Sequence, residues 1–214
     1  MNLHALPIAA LPLLGMSGQL SDNPLSASHR RELSTARDRA RPIRKAARVA
    51  SFNGWSSAAI AALSAPFSIW SPVGMALTAG IAFVAFNEFR GRKKLLNFEP
   101  SGATLLAWNQ LGLLAMIIGY CFWMMQGNLI DSSSLSAELK GLSELDSSLA
   151  GTVDSLQPMI QQAVRGFYLG VIALSVLFQG GTAIYYFSRR RLVEDFVAET
   201  PEWVREVQRG SVPA

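Results

Sequence analysis

The chain has 214 residues, of which 50% are hydrophobic and only 16% charged, with one cysteine and a formal net charge of +4. Three stretches, 49–87, 101–130 and 166–188, contain no Asp, Glu, Lys or Arg, whereas an ordinary soluble domain is about 25% charged throughout. This distribution excludes a soluble globule, a mainly disordered chain and a nucleic-acid-binding domain, and a single cysteine excludes a disulfide scaffold.

Residues 1–28 hold a short apolar stretch broken by Pro7 and Pro12. It lacks the basic leader of a signal peptide, and it reads as a flexible tail. His4 and His29 have no carboxylate, cysteine or second histidine at ligand spacing and read as surface residues. Residues 29–48 form a basic juxtamembrane segment: Arg30, Arg31, Arg37, Arg39, Arg41, Arg44, Lys45 and Arg48 stand against Glu32 and Asp38. It reads as a cytoplasmic helix that Pro42 can interrupt. Its main role is to signal topology, and it attracts anionic lipid head groups at about 1 kcal/mol per well-placed cation. No aromatic residues interleave with the cations, as single-stranded nucleic acid would require.

Residues 49–88 exceed one crossing. A bilayer core of ~30 Å takes about 20 helical residues, and 39 would reach roughly 58 Å. Pro66 and Pro72 lie mid-block, and Ser71-Pro72 has the form of a helix cap followed by proline at the first helical position. The expectation is a tight hairpin, with spans at 49–70 and 72–88. A re-entrant pair gives the same parity. A basic loop, 89–102, carries Arg90, Arg92, Lys93 and Lys94. Span three follows at 103–125.

The connection 126–165 is expected outside. Leu135, Leu142, Leu149 and Leu156 are seven apart, with Leu139, Val153 and Ile160 at the companion positions and Asp146 as the exception. That is a heptad pattern for an amphipathic helix and a candidate partner-contact face. A single upright helix over 135–163 would measure about 43 Å, and a connector of nine residues reaches only about 30 Å. A broken helix, or one turning near 146–148 or Gly151, closes more easily. Span four is expected at 166–187. The tail 188–214 carries Leu192, Val193, Phe196 and Val197 on one helical face. A fresh helix start at Thr200-Pro201 then places Trp203, Val204 and Val207 on another. This tail is expected to lie on the inner surface or cap the bundle.

The fold class is thus an all-α integral membrane protein with four transmembrane helices, the first two a hairpin, an extracytoplasmic amphipathic loop and a cytoplasmic amphipathic tail. Basic residues cluster on one side: the segments assigned inside hold seventeen of the nineteen Lys and Arg, and Lys140 and Arg165 alone lie outside. The positive-inside rule then puts both termini in the cytoplasm. The expected location is a bacterial inner membrane. Trp55, Trp70, Trp108, Tyr120, Trp123, Tyr168, Tyr185 and Tyr186 fall near the expected interfaces, as amphipathic rings prefer.

Ionisable residues inside a span are functional candidates by default, and Glu88 is the sole one. Arg92 is four residues on, the spacing of a helical ion pair, so an interfacial Glu88–Arg92 pair is expected. Asn109, Gln110 and Gln179 fall in the inner halves of spans three and four and are expected to meet as an interhelical polar cluster, each bond worth about 0.6–2 kcal/mol. Small residues at i, i+4 (Ala58 and Ala62, Ala76 and Gly80, Gly166 and Gly170) permit close helix contact. Cys121 reads as a small apolar side chain. No GxSxG, HExxH, P-loop, paired aspartate or intramembrane Ser/His arrangement occurs. No catalytic residue, metal site or cofactor is therefore expected. The expected partners are the lipid bilayer and, through the outer helix, a second copy or another membrane subunit. The functional expectation is a scaffold, assembly or accessory subunit of a membrane complex. The alternative is an oligomeric channel or small transporter lined by the polar cluster. A sensing role ranks last, because no recognisable output domain follows span four.

Overall fold

The computed structural model describes residues 25–126, 141 and 147–210, and all of the secondary structure among them is helical. Most of the expected tail therefore lies outside the described residues, as do Leu135, Leu139 and Leu142.

Helix α1 runs from Ala27 to Ser68. Ser26 starts it, its hydroxyl accepting from the His29 N–H at 3.2 Å. The helix continues through Pro42, so the basic segment and the first apolar stretch form one rod of roughly 63 Å. Ile69 and Trp70 turn the chain. Ser71 then caps α2 (Pro72–Leu96) by accepting from the Gly74 N–H at 3.2 Å, with Pro72 at the first turn.

Helix α2 ends in a Schellman arrangement: Phe98 N–H bonds to the Leu95 carbonyl at 3.0 Å and Glu99 N–H to that of Lys94 at 2.9 Å. The left-handed position usually held by glycine is taken by Phe98, at φ 59°. Pro100 opens α3 (Pro100–Met125). Helix α4 (Ser147–Ser175) passes through a π-turn (Val176–Gly180) into α5 (Gly181–Glu199), and α6 (Glu202–Gly210) closes the chain.

Among the described residues, three helices are long and apolar enough to cross a membrane: Pro72–Leu96, Pro100–Met125 and Pro158–Glu199. The expected first span is not one of them, because Ser51, Asn53, Ser56, Ser57 and Ser64 dilute the apolar half of α1. The N-terminal part of α4 also departs from expectation. No break occurs at Gly151 or Pro158, and the heptad positions Leu149, Val153, Leu156 and Ile160 lie on a helix that runs straight into the apolar segment.

The packed core sits at the basic end. Ala36, Ala40, Ile43, Ala47 and Ala50 of α1 meet Leu95, Phe98, Leu106, Tyr186, Val193, Phe196 and Val204. The uncharged stretches show the reverse pattern: Trp70 is 89% exposed and Phe67 82%, with Phe52, Leu63, Trp108, Leu177 and Phe178 also outward. Large apolar side chains facing out over so wide a surface need an apolar solvent.

Candidate functional site

Two glycines bring α2 and α3 together. A Cβ on Gly102 would stand 2.9 Å from the Leu95 backbone nitrogen, and one on Gly91 would stand 2.5 Å from the Leu106 side chain. Both helices therefore touch at backbone distance beside their connecting turn. Two turns further along α3, Asn109 and Gln110 reach Glu88 on α2.

Glu88 is fully buried. Its Oε1 accepts from Asn109 Nδ2 at 2.9 Å and from Gln110 Nε2 at 2.8 Å. Asn109 Nδ2 also donates to the Val84 carbonyl at 3.0 Å. Helix α1 closes another side: a Cβ on Gly54 would stand 3.2 Å from Glu88 Cβ. Tyr186 of α5 lies within electrostatic reach of Glu88, and Asn53 approaches its ring hydroxyl. Glu88 Oε2 has no hydrogen-bond partner among the described residues.

The expected Glu88–Arg92 ion pair is absent: neither residue takes part in any of the four ion pairs among the described residues. Helical spacing places Arg92 one turn away, but the short carboxylate is turned onto α3, where two amides already lie at bonding distance. Arg92 is only half-buried. Asn109 and Gln110 do meet, through Glu88. Gln179 does not join them by a hydrogen bond. It sits in the π-turn, half-buried, with Oε1 enclosed and unbonded. The Gly166 and Gly170 pair has open space where a Cβ would stand, so it packs no described neighbour. Cys121 is buried. No group of three metal-binding side chains occurs among the described residues.

A second constellation joins the two ends of the chain. Arg44 of α1 donates to the Gln208 side chain and, at 3.3 Å, to its carbonyl. Arg39 pairs with Glu199, and His29 stacks edge-on against Trp203 with centroids 5.3 Å apart. Of the expected apolar face of α6, Val204 alone is buried, and Trp203 and Val207 stay exposed. The tail thus packs on the basic helix. Sequence reasoning treated 29–48 as a charge signal and passed over its alanines. Ala36, Ala40, Ile43, Ala47 and Ala50 recur at spacings of three and four, the pattern of a buried stripe.

No protein-family model matches the chain, and neither a curated protein nor a solved structure does.

Chemically, the Glu88 site is an acceptor saturated on one oxygen by two amides and sealed by α1, α3 and α5. A typical hydrogen bond contributes about 0.5–1.5 kcal/mol net. The arrangement is therefore suited to holding helices in register.

Proposed function

We propose that this chain is a non-enzymatic, multi-pass membrane protein that serves as a scaffold, assembly or accessory subunit of a membrane complex. The observation that carries this reading is the inverted burial. A close-packed core of α1, α5 and α6 with the α2–α3 turn region forms at the basic end, while the largest apolar side chains of the uncharged stretches point outward. Lipid would solvate one part, and the other would present a folded helical platform at the membrane surface. In this reading 49–68 of α1 crosses as a fourth span with α2 as its hairpin partner, both termini are cytoplasmic, and the membrane is a bacterial inner membrane. The basic face of 30–48 would then meet anionic head groups. The sealed position of Glu88 supports a structural tie over a pore lining.

Purification in mild detergent with crosslinking from a cysteine introduced into the outer helix tests the role. Recovery of free monomer alone, with no crosslinked partner, would reject it. Compartment tagging tests the topology: Lys94 and Lys140 must label from opposite sides.

One observation favours the rival reading of an oligomeric channel or small transporter. Glu88 Oε2 and Gln179 Oε1 are enclosed acceptors with no protein donor among the described residues. Liposome flux that Asn109→Leu abolishes would support that reading, and flux equal to empty liposomes would remove it.

A further inference from the structure

Beside the Glu88 tie, and lined in part by its Val84 and Asn109, α2 and α3 enclose an open groove of about 340 Å³. Gly80, Phe83 and Asn87 line it on α2, with Leu105, Trp108 and Gly112 on α3. Met116 closes its far end, the sulfur lying across Gly80 only 2.5 Å from where a Cβ would stand. From Leu105 to Met116 the groove runs roughly 16 Å along α3, which matches one leaflet of a ~30 Å hydrocarbon layer.

No charged residue is in its lining, but two cations of α2 follow Asn87 at its near end. Gly80, Asn87 and Lys94 are seven residues apart and share one face of α2, with Arg90 at the edge of that face. Lys94 Nζ donates to Ser101 Oγ at 3.1 Å and lies 3.9 Å from the exposed Glu99 carboxylate. Arg90 is exposed and forms no ion pair among the described residues. A second apolar groove beyond Met116, between Pro72 and Trp123, likewise has no charged residue in its lining, and α2 carries no charge before Glu88 and α3 none at all that could meet a headgroup there.

We propose that the groove between Phe83 and Gly112 binds one phospholipid of the inner leaflet with an anionic headgroup, its acyl chain lying over Gly112 and its phosphate meeting Arg90 and Lys94. Its length, its largely apolar walls and the two cations that follow Asn87 on α2 fit that ligand. A helix from a second copy would need a continuous face, and Met116 interrupts this one. The site rests on the membrane reading given above, but its location is independent of any scaffold role.

Native mass spectrometry of the full chain in mild detergent tests the site, with phosphatidylglycerol and phosphatidylcholine of identical chains as probes. Phosphatidylglycerol should be retained at least fivefold better. Each of Arg90→Gln and Lys94→Gln should lower that preference by about fivefold, the equivalent of one surface cation. Gly112→Phe, which projects into open space, should reduce retention of both lipids, while Gly166→Phe on α4 should leave it unchanged. Equal retention of the two lipids overturns the proposal. So does identical behaviour of Gly112→Phe and Gly166→Phe, or a dimer that Gly112→Phe alone abolishes. A chain that stays monomeric without any amphiphile overturns the membrane reading itself, a result distinguishable from a membrane protein that merely lacks lipid preference.

Discussion

Asn109 ties α3 to α2 through one side-chain amide, its Nδ2 donating to Glu88 Oε1 at 2.9 Å and to the Val84 carbonyl at 3.0 Å. Truncating it leaves a buried acceptor short of a donor. Asn109→Ala should lower stability by about 1–3 kcal/mol. Replacing both partners by apolar groups of similar size removes the unmet demand, so the Glu88→Leu/Asn109→Leu pair should lose less than the sum of the single changes. Unfolding in mixed micelles measures this, and strictly additive losses would show that the contact contributes nothing.

The close approach of α2 and α3 makes a sharper prediction at glycine. Gly102→Ala sets a methyl group against the backbone of α2, which no side-chain rotation relieves. It should destabilise by about 1–3 kcal/mol, the usual range for overpacking. Gly119→Ala meets open space and should change stability by less than about 1 kcal/mol, the difference in helix propensity. Thermal unfolding of the two variants in one detergent compares them directly, and equal shifts would contradict the packing described.

Phe98 combines strain with packing. Its backbone occupies the left-handed region, which costs a non-glycine residue roughly 1–2 kcal/mol. Its buried ring stacks on Phe196 at 4.6 Å between centroids. Phe98→Ala loses the ring and keeps the strain, whereas Phe98→Gly loses the ring and relieves it. Both should destabilise, with the glycine variant the more stable by about 1 kcal/mol. The opposite order in a melting experiment would count against the Schellman cap.

The contact between the first and last helices is open to proteolysis. Val204 is wholly enclosed, and Val204→Asp would bury an unpaired charge. The variant should release α6 and expose Arg205 and Arg209 to trypsin, raising the initial cleavage rate severalfold while the apolar helices stay intact. Cleavage of the variant at the parental rate would mean that α6 does not depend on this contact.

Much of the helical architecture was legible in the chain because it depends on local properties. Three uncharged stretches demand internally paired backbones, and hence helices. Ser71 and Pro72 punctuate the first stretch through groups that act within one turn. The limits of such reading show at Glu88. Its i+4 neighbour Arg92 is visible in any helical projection, but Asn109 and Gln110 lie twenty-one and twenty-two residues away, and nothing local says which of the two the carboxylate will face.

Composition and short-range spacing by themselves determined the all-helical character, the apolar stretches and the turn at Ser71. Tertiary structure decided that the carboxylate turns inward, that α6 docks on the alanine stripe of α1, and that the heptad stretch of α4 continues into the apolar helix. The physical reason is that periodicity reports which face of a helix is apolar, whereas the partner of a polar side chain depends on how closely and at what rotation two helices meet. Here that was set by backbone contact at Gly91 and Gly102.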